Sequence, residues 1–461
     1  MTPHLEDNAV TDHARQMKLG LFLYPTGHHI AAWRSPDCVA EGGLRLSEGI
    51  RLAQTAERGL MDMIFLSDVL AVLPRPGERL ATTARMSNFA GFEPVTLLSA
   101  LATATESIGL VATATTTYNE PYHIARKFAS LDLLSGGRAG WNLVTSSSPA
   151  EAFNFSRPSH QAHADRYQRA REFAEVVLGL WDSWDDDAFL FDKASGVFFD
   201  PAKLRIPHHA GEHFSVQGPL GVPRSPQGSP VVVQAGSSED GRALAAETAE
   251  VIFTAHLSLA SAQAFYRDVK QRAAALGRDP DGVKILPGVS PVVGRSEAEA
   301  RDRFQALQDL IHPEVGLTLL SRMAGVDLSG HDLDGPMPPL PDVEGGKSRS
   351  AMLSAMAQAE GLTIRQTYQR VAGARGHWQL FGTAAQIVDR LEEWFLNEGA
   401  DGFNIMPPSF PDDLDRFVAE VVPELQRRGL YRTRYAGRTL RENLGLRKPA
   451  NGWRAARGTP A

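Results

Sequence analysis

Residues 108–145 read IGLVATATTTYNEPYHIARKFASLDLLSGGRAGWNLVT, which spells out one complete strand–helix–strand unit. Ile108–Thr115 is a short and almost continuously apolar run, typical of a strand that is buried on both faces. A helical pattern runs from Pro121 to Leu134 and ends at Gly136-Gly137. Arg138–Thr145 repeats the strand pattern. The unit therefore predicts two parallel strands joined by a crossover helix.

The same alternation continues in both directions along the chain. The predicted strands are Met17–Tyr24, Met61–Asp68, Ile108–Thr115, Arg138–Thr145, 230–236, 250–256, 283–290 and Asp401–Pro408. A helical pattern follows each of them. Eight buried strands with eight helices predict an α/β fold, a TIM (β/α)8 barrel. A doubly wound open sheet is the alternative.

Two long segments interrupt the alternation, one after strand four and one after strand seven. Residues 182–229 are rich in Pro, Gly and His, and residues 313–376 contain PMPPLPDVEGG, which predicts a solvated loop. We expect one barrel domain over residues 17–440, with these two insertions. Residues 1–16 are predicted to be a flexible N-terminal extension, and residues 441–461 a C-terminal tail.

Charge and composition exclude several classes of protein. The 461 residues carry a formal net charge of -7, so no broad basic surface is available for nucleic acid or an anionic membrane. A run of arginines from Arg427 to Arg441 predicts a solvated or subunit-facing surface. The single cysteine excludes an intrachain disulfide, and no apolar run approaches the roughly 20 residues of a membrane span. Residues 1–16 lack the apolar centre of a signal peptide. We expect a soluble, cytoplasmic protein.

Neutral hydrogen-bonding side chains collect where the predicted strands end, which is the active-site face of a barrel. Asp68 is the one carboxylate well placed there, and the other groups are hydroxyls and amides such as Thr113 and Asn142. This set suits a flat heteroaromatic ligand with a polar edge. The sequence contains no HExxH or Cys/His ligand spacing and no GxSxG elbow, so we expect neither a metal site nor a serine nucleophile.

An anion site is predicted at the end of strand five. Gly236, Ser237 and Ser238 close this strand and open a helix, where backbone N–H groups and hydroxyls form a cradle for phosphate. The alternative is that Ser238 only caps the helix. His163 and Tyr167 lie four residues apart on one helix face and could reach the same anion, or they could be ordinary surface residues.

Five motifs carry a family resemblance. They are, in chain order, GHHIAAWRSPD, ATTTYNEPYHIARKFASLDLLSGGRAGWNLVTS, HADRYQRAREF, PVVVQAGSSEDGR and DGFNIMPP. Together they resemble the bacterial luciferase-like superfamily, in the branch of nitrilotriacetate, dibenzothiophene-sulfone and long-chain alkane monooxygenases. The resemblance covers roughly Lys18 to Arg441. It implies a TIM barrel that takes reduced FMN from a separate flavin reductase and transfers one atom of O2 to a small organic substrate through a flavin C4a-(hydro)peroxide. Relatives of this kind suggest a homodimer or homotetramer.

The resemblance also implies roles for particular residues. His29 matches a catalytic pocket histidine. The flavin-binding positions are Ser67, Asp68, Thr113 and Asn142 for the ring, and His163, Tyr167, Ser237 and Ser238 for the phosphate. The substrate-pocket positions are Phe22, Asn88 and Trp378. Two alternatives stay open: His29 could only hold a loop, and Phe22 and Trp378 could be core residues.

Two departures bear on the substrate, and two other functions remain as alternatives. Thr26 replaces a cysteine of the alkane-type relatives and Ser146 replaces a histidine, so a long-chain alkane is in doubt as the substrate. The rival functions are an F420-dependent oxidoreductase on the same fold and a noncatalytic flavin-binding protein.

Overall fold

The computed structural model describes residues 15–72, 80–87, 90–146, 148–340, 347–374 and 376–452. Its strands are Lys18–Phe22 (β1), Met63–Leu66 (β2), Gly109–Thr115 (β3), Ala139–Val144 (β4), Phe189–Asp192 (β5), Val197–Phe199 (β6), His209–Ala210 (β7), Ser215–Val216 (β8), Val231–Gln234 (β9), Val251–Thr254 (β10), Lys284–Val293 (β11), Trp378–Gly382 (β12) and Gly402–Ile405 (β13).

Eight of these strands form a closed parallel barrel in the order β1, β2, β3, β4, β9, β10, β11 and β13. The circle closes where Val251 pairs with Lys284 and where Gly20 pairs with Asn404. All eight barrel strands were predicted, and closure confirms the TIM barrel over the open sheet.

Helices surround the barrel. They are Leu46–Arg58 (α1), Leu80–Thr83 (α2), Pro94–Ala102 (α3), Pro121–Leu134 (α4), Glu151–Asn154 (α5), His163–Trp181 (α6), Glu239–Thr248 (α7), Leu259–Ala275 (α8), Glu297–Asp309 (α9), Pro313–Ala324 (α10), Lys347–Glu360 (α11), Ile364–Ala372 (α12), Ala384–Leu396 (α13), Asp412–Arg416 (α14), Val422–Arg427 (α15) and Leu440–Leu444 (α16). None of the helices that the structure describes is long and apolar enough to cross a membrane.

The alternation of side chains along each strand divides the apolar core in two. Residues such as Leu21 and Trp141 point outward and pack against the helices. Residues such as Phe22, Val111 and Val233 point inward and fill the barrel. The inward residues near the carboxyl ends of the strands form the floor of the barrel mouth.

The two long segments contain more regular structure than their composition predicted. Residues 182–229 form two hairpins, β5–β6 and β7–β8. Helices α10 and α12, which lie on either side of the predicted solvated loop PMPPLPDVEGG, pack on each other through residues such as Leu320 and Tyr368. Strand β12 was not predicted, and it extends the sheet by pairing Trp378 with Val289 of β11. The helical spacing on either side of residues 336–346 is hard to recognise in the sequence, because these residues are rich in Pro and Gly.

The predicted C-terminal tail begins too early. Leu440 and Leu444 of α16 fill the amino-terminal end of the barrel, and a side chain on Gly109 would collide with Leu440. Two arginines of the predicted solvated run are buried in ion pairs, Arg432 with Asp62 and Arg441 with Glu250. Charged groups at the starts of the strands need buried partners, and this segment supplies them.

Candidate active site

An aromatic floor closes the barrel beneath the mouth. Phe22, Phe65 and Phe253 are the last inward residues of β1, β2 and β10, and their ring centroids lie 5.0–5.5 Å apart. Met406, just beyond β13, belongs to the same cluster. The structure therefore places Phe22 in the barrel interior, under any ligand that occupies the mouth.

The side chains of Thr113 and Asn142 form a fixed chain of hydrogen bonds across two neighbouring strands. The two residues are paired in the β3–β4 register, so both face the mouth. Asn142 Nδ2 donates to Thr113 Oγ1 at 2.8 Å, and Thr113 Oγ1 donates to the Leu66 carbonyl at 2.7 Å. Asn142 Oδ1 is buried and has no hydrogen-bond partner among the described residues. A buried acceptor without a donor is costly, so this oxygen suits a ligand N–H group.

Ser67 and Asp68 follow β2 beside this chain. Ser67 is exposed, whereas Asp68 is half-buried. Burial raises the pKa of Asp68 to about 6, and the Glu93 and Glu151 carboxylates add to the rise. The Thr113–Leu66 bond ties the end of β2 to β3, so Ser67, Asp68, Thr113 and Asn142 share one side of the mouth. We call these four residues the strand-end cluster.

A second polar group lies where α6 and α7 begin. Ser238 caps α7 by accepting the Gly241 N–H at 3.1 Å. A Cβ on Gly236 would lie 2.8 Å from the Gly241 Cα, so the end of β9 and the start of α7 touch backbone to backbone. Only glycine allows this approach, and a helix start of this kind is where backbone N–H groups can bind an anion.

The first turn of α6 meets this turn. His163 Nδ1 lies 3.2 Å from Asp240 of α7, and its ring centroid is 4.8 Å from that of Tyr167. His163, Ser237 and Ser238 are exposed and Tyr167 is half-buried. The structure thus brings the four predicted phosphate residues, His163, Tyr167, Ser237 and Ser238, to one surface. We call them the helix-start cluster.

The loop after β1 presents its two adjacent histidines in opposite ways. His29 is buried with both ring nitrogens engaged: Nε2 donates to Gln308 Oε1 at 3.1 Å, and Nδ1 accepts the Ala31 N–H at 3.1 Å. Burial lowers the pKa of His29 to about 4, against an opposing contribution from Gln308. His29 is therefore neutral at pH 7, and its geometry favours the alternative that it holds the loop against α9.

His28 is the histidine on the mouth side. Its ring stacks on Tyr24 with centroids 5.1 Å apart and meets the edge of Phe22 at 4.6 Å. Its Nε2 donates to the Phe22 carbonyl at 2.9 Å. Gly27 has φ +118°, and a Cβ there would lie 2.3 Å from the Pro408 carbonyl oxygen. The close contact between Gly27 and Pro408 determines which histidine faces the mouth. No periodic pattern in the sequence predicts this contact.

A similar shift by one residue occurs at the start of β12. Trp378 stacks on Trp394 at 4.1 Å in the outer core, which favours the packing alternative for this residue. His377 points into the mouth, where it stacks on Phe253 at 5.1 Å. A Cβ on Gly288 would lie 2.4 Å from His377 Nδ1, so the glycine in β11 makes room for this ring.

Asn88 lies outside the described residues. Within the described part of the chain, no group of three or more His, Cys, Asp or Glu side chains could hold a metal ion.

Comparisons with known proteins agree with this architecture. The family profile described as luciferase-like monooxygenase matches residues 24–401. The chain is 52% identical to N-acetyl-S-(2-succino)cysteine monooxygenase of Bacillus subtilis, over 96% of this chain and 99% of that protein. It is 49% identical to nitrilotriacetate monooxygenase component A of Aminobacter aminovorans, over 95% and 98%.

Solved structures extend the agreement to three dimensions. A long-chain alkane monooxygenase superposes with a TM-score of 0.84 at 31% identity, covering 96% of this chain and all of that one. A riboflavin lyase with modified FMN superposes with a TM-score of 0.83 at 31% identity, covering 94% and 97%. An F420-dependent alcohol dehydrogenase, at 14% identity and a TM-score of 0.56, shares the fold alone. The chain belongs to the luciferase-like monooxygenase family, and it is a flavin-dependent monooxygenase.

Proposed function

We propose that this enzyme is the oxygenase of a two-component system. It takes reduced FMN from a separate flavin reductase and transfers one atom of O2 to a small organic substrate. The observation that carries the proposal is Asn142 Oδ1, a buried acceptor without a partner among the described residues, held in place by Thr113 at the mouth of the barrel. An isoalloxazine ring has an N–H edge that would satisfy it.

The two clusters divide the work of holding the flavin. The strand-end cluster would orient the ring, and the helix-start cluster would bind the phosphate through hydroxyls and backbone N–H groups. Reduced FMN, when bound, supplies the electrons and the O2-reactive ring. The protein supplies orientation and a dry floor, since Phe22, Phe65 and Phe253 exclude water from beneath the mouth.

Histidines at the mouth are candidates for handling protons. His28 and His377 face it, whereas His29 is bound to protein groups on both ring nitrogens. In this proposal His29 acts by positioning the loop that carries His28. A neutral imidazole beside the ring can exchange a proton near pH 7.

Relatives support a second component and leave the substrate open. The nitrilotriacetate enzyme is named component A, which implies a partner component. Similar monooxygenases are named for N-acetyl-S-(2-succino)cysteine and nitrilotriacetate, which are small polycarboxylates, and for dibenzothiophene sulfone, which has no carboxylate. These three compounds are the first substrates to test.

We also propose a homodimer or homotetramer. The β5–β6 hairpin exposes Leu190, Phe191 and Phe198 by 49–61%, and clustered apolar exposure of this kind is typical of protein contacts. The mass in solution by light scattering tests this part of the proposal.

The test of the function is reconstitution. Purified protein is assayed with FMN, NADPH and a generic flavin reductase, against parallel reactions lacking the reductase or supplied with reduced F420. We expect substrate-dependent oxygen uptake only with the reductase and FMN. NADPH oxidation by the protein alone at enzymatic rates would refute the two-component scheme, and turnover with F420 alone would favour the hydride-transfer rival. Flavin binding without any oxygenated product would favour the noncatalytic rival.

A further inference from the structure

A second polar row lies at the mouth, one step closer to the opening than Thr113 and Asn142. Side chains two residues apart in a strand point to the same side, so Thr115 of β3 faces the mouth as Thr113 does. Ser146, just beyond β4, meets it, and the two hydroxyl oxygens lie 3.0 Å apart. Glu151 of α5 is at the far end, with its Oε2 2.5 Å from Ser146 Oγ. We call Thr115, Ser146 and Glu151 the relay.

The relay is shielded from bulk water along its length. Its three residues are only 4–6% exposed. The carboxyl end lies beside the loop that carries Asp68, since Asn154 of the same short helix donates to the Leu70 carbonyl at 2.6 Å. A buried carboxyl is costly unless hydrogen bonds serve it, so the link from Glu151 to Ser146 is needed in the fold. The two hydroxyls are thus a hydrogen-bonded path between a buried acid and the mouth.

Each hydroxyl carries one proton, which gives the relay two arrangements. With Glu151 ionised, Thr115 donates to Ser146, and Ser146 donates to the carboxylate. With Glu151 protonated, both bonds reverse, and the Thr115 proton is available to an acceptor in the mouth. Thr115 Oγ1 also accepts the Thr117 N–H at 3.1 Å in either arrangement. Passing from the protonated to the ionised arrangement moves one proton from Glu151 to the mouth.

The surroundings of Glu151 favour the protonated form that donation requires. Burial raises the pKa of Glu151, against opposing hydrogen bonds from Ser146 and from the backbone of Ser148 and Leu70. Asp68 faces Glu151 from the loop after β2, and the Glu151 charge adds to the rise that burial causes in the Asp68 pKa. The other titratable or charged side chains near Glu151 in the described part of the chain are Tyr118 and, around it, His160, Arg157 and Arg166.

The proposed reaction consumes a proton at the mouth. With anionic reduced FMN as the reductant, one atom of O2 goes to the substrate and the other becomes water. That water takes one hydrogen from the reduced flavin and the second as a proton. Without a substrate, the hydrogen peroxide that forms takes its second hydrogen in the same way. A proton donor is therefore needed whether or not a substrate is bound.

We propose that Glu151 supplies this proton through the hydroxyls of Ser146 and Thr115, and takes the next one from solvent. The inference rests on the proposed function and adds a proton donor to its site. The O–H bond of Glu151 breaks, a new O–H bond forms on the oxygen that is being reduced, and each hydroxyl passes one proton on. Transfer of this kind typically contributes ~10²–10⁴-fold in rate. His28 and His377 lie on the other side of the barrel, beside β1 and β10.

Paired variants separate the relay from ordinary packing. Glu151→Gln keeps the shape of the side chain and can still form hydrogen bonds, but it cannot give up a proton. Thr115→Val removes the hydroxyl at nearly constant volume, whereas Thr115→Ser keeps it. Thr116→Val is the matched control, because the Thr116 hydroxyl bonds the Val144 carbonyl at 3.3 Å and lies outside the relay. FMN affinity by fluorescence quenching and thermal unfolding are measured for every variant.

The first measurement needs no substrate. Reduced FMN bound to excess protein is mixed with O2 in a stopped-flow instrument, over a range of pH. We expect Glu151→Gln and Thr115→Val to slow flavin oxidation about 100-fold at pH 7. Thr115→Ser should lose at most about threefold, and Thr116→Val should stay within about twofold. The wild-type rate should fall as pH rises through the pKa of Glu151, because only the protonated form donates, and Glu151→Gln should lack this fall.

The second measurement observes Glu151 in the protein without flavin. Infrared difference spectra between acidic and alkaline pH should contain a carboxylic acid band that is missing in Glu151→Gln. We expect this band to titrate above the ordinary pKa of 4.5. Ser146→Ala should move the titration to higher pH, because the hydrogen bond from Ser146 favours the ionised form.

Several results would overturn the inference. A Glu151→Gln protein with the wild-type rate and pH profile would leave proton supply to His28 and His377. Equal rates in Thr115→Val and Thr115→Ser, whether both normal or both low, would mean that the Thr115 hydroxyl carries no proton. This pair decides the matter even if Glu151→Gln fails to fold. Failure of the wild-type protein to bind FMN would instead refute the proposed function itself.

Discussion

The strand-end and helix-start clusters hold polar groups by different means. Thr113 and Asn142 are buried on adjacent strands, and each side chain is held by a hydrogen bond to a neighbouring strand. Ser238 and His163 lie on the surface, where two helices begin and one close backbone contact sets the geometry. The first arrangement suits orientation, because a buried group cannot turn without losing its partner. The second suits retention of a charged group that arrives from water.

Replacing Asn142 tests the strand-end cluster and should have the largest effect of the substitutions proposed. Asn142→Ala removes the acceptor aimed into the mouth, and we expect kcat/KM to fall about 100-fold, or ~2.7 kcal/mol. FMN affinity should fall less, since the helix-start cluster is untouched. Thr113→Ser is the control because it keeps the hydroxyl that holds Asn142. Steady-state oxygen uptake checks this, and an unimpaired alanine variant would remove Asn142 from the ring site.

His29 lies outside both clusters. Replacing it therefore tests whether the chemistry is confined to the mouth. Its folded pKa of about 4 lies below the ordinary 6.5, so the neutral form is the stable one in the fold. The resulting stability is fully present above pH 6.5 and is lost as pH falls towards 4. His29→Asn should lower the free energy of unfolding by about 2 kcal/mol at pH 7 and flatten this acid-side loss.

Catalysis by the folded His29 variant should change less than about threefold, within the ordinary scatter of single substitutions away from reacting groups. His28→Asn is the comparison, because its ring lies on the mouth side against Tyr24 and Phe22. Urea unfolding between pH 4 and 8, with product and peroxide measured in parallel, separates the two roles. A stable His29→Asn protein that releases peroxide in place of product would restore His29 as a catalytic residue.

The sequence predicted the barrel better than it predicted the loops, for a physical reason. Strands buried on both faces are short continuous apolar runs and helices have a period of 3.6, so eight buried strands can be recognised without knowing their contacts. A loop has no period. The phase of His28 and His29 is set by the contact of Gly27 with Pro408, and the phase of His377 and Trp378 by the space over Gly288. Both contacts join distant parts of the chain.

The same reasoning explains the C-terminal arginines. Arg432 and Arg441 belong to a run of charged residues, which usually indicates a solvent-exposed segment. Both are nevertheless buried, because they form ion pairs with Asp62 and Glu250. Their partners are separated from them by long stretches of sequence. Nothing in the local pattern distinguishes such a segment from a solvated tail.

Substitutions in the exposed helix-start cluster should have smaller effects than the replacement of the buried Asn142 in the strand-end cluster. Ser238→Ala and Tyr167→Phe each remove one hydroxyl from the helix-start cluster, and we expect FMN affinity to fall about tenfold, or ~1.4 kcal/mol. The rate at saturating FMN should stay within about twofold, and added salt should narrow the difference because the site is open to solvent. Ser296→Ala, which removes an equivalent cap from α9, is the control for helix capping alone. Fluorescence titration that finds wild-type affinity in both variants would remove these hydroxyls from the phosphate site.

Asp68 belongs to the strand-end cluster but is only half-buried, unlike Thr113 and Asn142. Its folded pKa of about 6 lies above the ordinary 3.8, so the fold disfavours the ionised form. The stability linked to its protonated form is present below pH 3.8 and is lost as pH rises through 6. Asp68→Asn should therefore raise the free energy of unfolding at pH 8 by about 1 kcal/mol, since solvent screens part of the charge, and should leave it unchanged at pH 4. Asp302→Asn, on the exposed face of α9, is the control and should show no such pH dependence. Urea unfolding at the two pH values decides the matter. A loss of stability at pH 8 in Asp68→Asn would mean that the carboxylate has a favourable partner in the fold, and the strand-end cluster would then resemble the helix-start cluster in relying on charge.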